Sequence, residues 1–405
     1  MTTATQPARP VPRRLHAWAG LTVLVTLVLL VLGQLVTSFR AGMADPIWPT
    51  EPWYLLNNYR LDPGYLIEHT HRIAGFAVGA VVSVLALGLW WTEPRKAARW
   101  VGLLALVVLL GAFGEFHRAL MAQRDPGVAV RVPDRAVGTM LAALGVVLAV
   151  GVSGMVAGTR GAGLRLLGIA GLVAVMVQGL FGGFRVKLNE LVGTDLAAVH
   201  GVFGQVVFCI LVALAVLTGR PTPADLPAPA RRTLGRWSLA LVGLLFVQLV
   251  WGALVRHAPD SLNQRLHLLT AFLAVATAVG LLRAGFADPG ARPRVAAVGW
   301  VLGVLIVLQV TLGVEAWMGK FGDEARRGKP AASYLAEAQP VTERQAATRT
   351  AHALTGTGVL AAAVALALRV RPRAGGGGRV SDEFTARAGA DPAPALALTT
   401  AGEGR

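Results

Sequence analysis

Apolar residues along this chain come in long blocks. Runs of about 20 residues with hardly a charge recur from end to end, separated by stretches rich in Arg, Pro and polar residues. At 1.5 Å per residue, such a run crosses a hydrocarbon core of ~30 Å. The pattern predicts ten spans, at about 17–39, 65–91, 100–118, 136–158, 164–184, 195–219, 234–256, 263–284, 294–318 and 349–370. The expected fold is all-α, a polytopic membrane helix bundle. It is read as two pseudo-repeated four-helix halves, 16–220 and 233–370, with a hairpin inserted at 100–158 in the first. Residues 1–15 form a Pro/Arg cytoplasmic tail. Residues 221–232, with the Pro-rich Pro221–Pro229, form a cytoplasmic linker. Residues 371–405, which include Gly375–Gly378, read as a disordered cytoplasmic tail.

Composition supports lipid as the solvent. The 405 residues are 54% apolar and 15% charged, against about 25% charged in soluble domains. A net charge of +16 in a soluble protein would suggest nucleic acid. Here many of the cations lie in loops between spans, and no basic stripe is interleaved with aromatics, so nucleic acid is set aside. On the N-terminal side the loops hold Arg95/Lys96/Arg99, Arg160/Arg165, Arg231/Arg232/Arg236 and Arg283/Arg292/Arg294, nearly free of acid; the opposite loops mix both signs. The positive-inside rule then places both termini in the cytoplasm. Arg9, Arg13 and Arg14 before Leu21–Leu32 resemble a signal peptide. The run is long and lacks a small-residue cleavage site, so it reads as an uncleaved first span. The single cysteine, Cys209, lies inside an apolar run and reads as a packing residue. Ala-, Gly-, Leu- and Arg-rich usage favours a bacterial inner (plasma) membrane.

Of eight histidines, four share a setting. His71, His200, His267 and His352 each lie one to two turns inside the start of spans 2, 6, 8 and 10, which all run in the same direction. Four residues on, on the same helix face, stand Gly75, Gly204, Ala271 and Gly356. A small residue beneath a ligating imidazole leaves room for a flat macrocycle. Three preceding spans end in Gln-x-x-x-Gly, at Gln178–Gly182, Gln248–Gly252 and Gln309–Gly313; a looser version ends the first, with Gln34 and Arg40. Imidazole within a span points to a metal. Zinc would want three or four ligands together, so two pairs on separate helices favour two bis-His haem sites over zinc. The alternative is interhelical hydrogen bonding. His16 is expected to be solvated in the tail, His257 to end span 7 at the surface, and His69 to be a surface or supporting group.

Glu68-His69-Thr70-His71-Arg72 resembles the Glu-x-x-His-Arg signature of the haem A synthase family. Arg40-Ala41-Gly42-Met43-Ala44-Asp45-Pro46-Ile47-Trp48-Pro49 is similar to that family's first outer loop. So are Gln178-Gly179-Leu180-Phe181-Gly182-Gly183-Phe184-Arg185-Val186, His200-Gly201, Gly252-Ala253-Leu254-Val255-Arg256-His257, Arg265-Leu266-His267 and Ala351-His352 to later family segments. The resemblance covers about residues 17–91 and 164–370. It implies an oxidoreductase that converts the methyl group of haem O to the formyl group of haem A for a terminal oxidase. It also implies His71 and His200 as ligands of the substrate haem, His267 and His352 as ligands of a haem b, and Glu68 as a catalytic carboxylate. The expected haem sites face the extracytoplasmic side. Haem O synthase and oxidase assembly proteins are the implied partners, and a homo-oligomer is compatible with the reading.

The residues themselves fit that implication. Glu68 and His71 share a helix face, and a carboxylate beside a haem can move protons or orient water. Arg72, Arg185, Arg256 and Arg265 lie near the outer boundary and suit haem propionates, or serve as interfacial snorkelling residues. Two departures stand out. Family members often have eight spans, and residues 40–64 lack the cysteine pair some members carry there. In the insert, Gly114-Glu115-Phe116-His117-Arg118 could form a third ligand site, a gate or an interfacial helix end. Two other functions remain open: a di-haem b-type electron-transfer cytochrome, and a non-catalytic haem carrier or oxidase assembly factor. Glu68 beside His71 favours the synthase, because electron transfer alone needs no carboxylate there.

Overall fold

Each predicted span is an α-helix in the computed structural model. The structure describes residues 11–44, 63–121, 131–187, 195–219, 226–258, 260–319 and 342–371. The outer tails, Asp45–Pro49 and most of the 221–232 linker's Pro-rich stretch lie outside the described residues. The helices are α1 (Arg13–Ser38), α2 (Pro63–Trp91), α3 (Lys96–Met121), α4 (Asp134–Val156) and α5 (Ala162–Lys187), then α6 (Asp195–Thr218), α7 (Ala228–His257), α8 (Ser261–Ala287), α9 (Arg292–Trp317) and α10 (Glu343–Arg369). Among the described residues, ten helices are long and apolar enough to cross a membrane, and the chain is a multi-pass membrane protein.

Several helices outrun their apolar cores, because a helix leaving the hydrocarbon keeps its backbone bonds and needs only a cap. Thr342 caps α10, accepting from the Gln345 amide in a capping box. Asp260 caps α8, accepting from the Asn263 amide at 2.7 Å. Proline stands in the first turn of α7 and of α9. Thus α7 starts inside the predicted linker and α1 inside the predicted tail. His16, expected in solvent, lies in α1 with its Nδ1 3.2 Å from the Thr218 hydroxyl of α6.

Consecutive helices pack as five hairpins: α1/α2, α3/α4, α5/α6, α7/α8 and α9/α10. Helices α1, α2, α5 and α6 close one four-helix ring, because α2 also packs on α5 and α1 on α6. Helices α7, α8, α9 and α10 close a second, through α8 on α9 and α7 on α10. The rings join through α1, α6, α7 and α10, and the described residues up to Val370 form one compact unit. The inserted α3/α4 hairpin packs against α2 and α5.

The apolar cores lie away from the histidines. In the first ring the core includes Leu85, Leu89, Leu211 and Leu214, beyond His71 and His200 on their helices. In the second it includes Ala278, Leu281, Ala363 and Leu366, beyond His267 and His352. In lipid, apolar burial adds little to helix association, so close packing and polar contacts carry it. One such contact clasps the inserted hairpin. Glu93, in the α2–α3 connection, pairs with Arg165 of α5 at 2.7 Å, and both side chains are only 1% exposed. Arg95 meets the other Glu93 oxygen at 2.7 Å and reaches the Ser153 hydroxyl of α4 at 3.1 Å. Burial pushes the Glu93 carboxyl upward, but hydrogen bonds from Arg95 and the charges of Arg165 and Arg95 hold it below the usual carboxylate value.

Candidate functional site

The four shared-setting histidines occupy equivalent places in four hairpins. In each, the imidazole of the returning helix lies against a glycine near the end of the preceding helix. A Cβ at Gly33 would stand 3.0 Å from His71 Cε1, at Gly182 3.3 Å from His200, at Gly252 3.1 Å from His267 and at Gly313 2.9 Å from His352. Carbon–carbon contacts prefer about 3.5–4.0 Å, so the rings come this close only because these residues lack Cβ.

The residue one turn before each glycine completes the cradle. In three copies it is a glutamine. Gln178 Nε2 lies 3.2 Å from Nδ1 and 3.3 Å from Nε2 of His200 and donates to the His200 carbonyl at 3.0 Å. Near-equidistance from both ring nitrogens puts the amide over the ring face, since the same place in the ring plane would overlap Cε1. The amides of Gln248 and Gln309 lie 3.3 and 3.4 Å from Nε2 of His267 and His352. The Thr270 hydroxyl donates to Gln248 Oε1. In the first hairpin the corresponding residue is Leu29, whose carbonyl stands 3.3 Å from His71 Nδ1. His352 Nδ1 meets the Gln309 carbonyl in the same way, at 3.2 Å. The first-span copy of the motif is therefore Leu29–Gly33, not the expected Gln34 and Arg40; Gln34 instead accepts from Arg256 at 2.6 Å.

The room expected one turn beyond each histidine is partly taken. A Cβ at Gly204 would meet Gln178 Nε2 at 3.2 Å, and one at Gly356 would meet Gln309 Nε2 at 3.1 Å. Gly75, after His71, has open space. Two of the small residues therefore make room for a glutamine amide.

The histidines meet as pairs. The rings of His267 and His352 have centroids 6.4 Å apart and planes 78° apart. With a metal–imidazole bond of about 2.0–2.1 Å, two rings on opposite sides of one metal have centroids roughly 6.3–6.5 Å apart. At that spacing the two imidazoles would be able to hold one porphyrin iron between them. His267 Nδ1 is buried without a hydrogen bond among the described residues. His71 and His200 lie within electrostatic range of one another. Among the described residues no group of three or more His, Cys, Asp or Glu side chains could hold a metal ion.

Charged side chains surround the first pair. Glu68, 3% exposed, pairs with Arg72 at 2.8 Å. Arg185 lies within range of Glu68, Arg72, His71 and His200, against Gly42. The positions three before the other histidines hold Ala197, Gln264 and Arg349, so the carboxylate belongs to the His71 copy. Near the second pair, Arg256 acts on His352 and crosses to the first ring, reaching Gln34 and the Ser38 hydroxyl at 2.7 Å. Arg349 lies beside Arg256; nothing in the sequence had singled it out. Arg265 is exposed. His69 is buried and stacks on Tyr65 at 5.2 Å. His117 meets Phe76 edge-on at 5.4 Å, while Glu115 and Arg118 pair with each other at an exposed helix end.

No protein-family model matches the chain, and no solved structure matches it. Two curated proteins do. One, described as heme A synthase, from Methylobacterium nodulans, is 32% identical over 125 residues, covering 27% of this chain and 34% of the relative. Another of the same description, from Methylobacterium radiotolerans, is 31% identical over 121 residues, covering 26% and 32%. The match thus spans about a third of each relative's length. Over that third the chain is similar to proteins described as heme A synthase, in keeping with the ordered motifs and the ten-helix bundle.

Proposed function

We propose that this protein is a membrane oxidoreductase of the haem A synthase type. It takes haem O and oxidises one methyl group to a formyl group, giving haem A for a terminal oxidase; with water as the oxygen source the change releases four protons and four electrons, the electrons leaving to an acceptor outside this chain. The observation that carries the proposal is the His267–His352 pair at a spacing that suits one iron, built on the same glycine cradle as His71 and His200. His267 and His352 would hold haem b, which when bound supplies one-electron transfer. His71 and His200 would hold the substrate haem. Arg72 and Arg185 would meet the substrate haem's propionates; Arg256, and Arg265 from the rim, would meet those of haem b. Glu68, ion-paired to Arg72 and one turn before His71, would hold a proton or orient water at its carboxylate oxygens.

The basic loops on the side of the N-terminus support cytoplasmic termini and sites toward the extracytoplasmic leaflet of a bacterial inner membrane. Haem O synthase and oxidase assembly factors are the partners this role requires. The test is co-expression with a haem O producer, followed by chromatography of the extracted haems. Haem A should form, and Glu68→Ala should keep haem bound while stopping haem A formation. His267→Ala or His352→Ala should each remove the haem b. Haem b alone in both halves would instead mark an electron-transfer cytochrome, which the single carboxylate at Glu68 argues against.

A further inference from the structure

We infer that His71 is the releasable ligand of the four, and that Leu29 makes it so. The inference rests on the haem reading above and separates the two sites by their mechanics. The four cradles share a glycine and differ at one place. His200 carries the Gln178 amide over its ring, anchored at its own carbonyl. His352 is approached at both nitrogens, by the carbonyl and the amide of Gln309. His267 faces the Gln248 amide, whose far end Thr270 fixes. Among the described residues, the ring of His71 has the Leu29 carbonyl at 3.3 Å and Gly33 against it, with no glutamine amide.

A second, independent observation points the same way. The space beyond His200 and His352 is filled by the glutamine amides, whereas among the described residues nothing stands within 4 Å of a Cβ placed at Gly75. An imidazole that swings off a metal needs its ring free to rotate and a place to go. At His200, His267 and His352 a polar amide must move first, breaking its own contacts. At His71, among the described residues, no side-chain amide stands at the ring and the position one turn on is open.

The difference matches what two such sites must do. A resident cofactor stays; a substrate that becomes a product must load and leave at every turnover. The second half, with glutamine behind both rings, is built to retain. The first half, with glutamine behind His200 alone, holds its haem firmly from one side and opens on the other.

The experiment uses the full chain in detergent, reconstituted with haem and mixed with excess apomyoglobin as scavenger; haem transfer is followed by absorbance. Wild type should lose haem in a fast and a slow phase, and His267→Ala should lack the slow one. Outer-shell groups commonly change metal affinity by about 10–100-fold. Leu29→Gln should accordingly slow the fast phase about tenfold, and Gln309→Leu should speed the slow phase by a similar factor. If Leu29→Gln does not fold, Gln309→Leu decides alone. Loaded protein whose rates ignore both substitutions overturns the inference and leaves the haem reading standing, as does a fast phase that disappears in His267→Ala. Protein that takes up no haem removes both.

Discussion

Substituting Gly313 by alanine adds one methyl group where His352 stands closest to a neighbouring backbone. The new Cβ would lie 2.9 Å from His352 Cε1, about 0.6 Å short of ordinary carbon–carbon contact. A helix interior by itself favours alanine over glycine by about 0.5–1 kcal/mol, so the helix should form at least as well as before. The methyl instead displaces the ring. Binding constellations tolerate about 0.5 Å of error, so the imidazole moves out of register with His267, 6.4 Å away. The expected cost is about 10–100-fold in haem b affinity, or roughly 1.4–2.8 kcal/mol. Haem titration of purified protein, read by the pyridine haemochrome, measures it. Two controls calibrate the result. Gly243→Ala, in α7 with nothing within 4 Å of the added Cβ, should bind haem as wild type. Gly182→Ala, with its Cβ at 3.3 Å from His200, should disturb the first site only mildly. If Gly313→Ala behaves like Gly243→Ala, the glycines are not seats for the rings and the repeated cradle has no role in metal binding.

Glu93→Gln strands Arg165, whose side chain is 1% exposed, without its counter-charge, and should destabilise the protein by about 3–5 kcal/mol in detergent unfolding; an unchanged midpoint would refute the clasp. Because Glu93 titrates below its ordinary value, its contribution is present above that value and lost as pH falls through the lower folded one, so the wild type should lose more stability on acidification than Glu93→Gln. Arg256→Met removes the bonds to Gln34 and Ser38 at about 1.5–3 kcal/mol each, and a double-mutant cycle with Gln34→Leu should show coupling; strict additivity would mean the contact is absent in solution. Arg185→Ala should weaken binding of the substrate haem, while exposed Arg265→Ala should change binding little; equal effects from both would place the propionates elsewhere.

The alternation of apolar runs with basic loops was enough to place all ten helices, because a chain in lipid must satisfy its backbone within each segment and leaves few alternatives. The histidines at shared depth and the Gln-x-x-x-Gly endings were equally visible, since both repeat at a fixed offset from a helix end. What the repeat was for could not be read. The glycines seat imidazoles from the next helix, and Gln178 and Gln309 fill the space that Gly204 and Gly356 leave on that helix. Both facts depend on how two helices face each other, which no single-helix pattern encodes. For the same reason Gln34 looked like the first copy of the motif, whereas packing gives that place to Leu29 and turns Gln34 toward Arg256. Sequence spacing fixes which residues share a face of one helix; rotation and crossing between helices decide what that face touches.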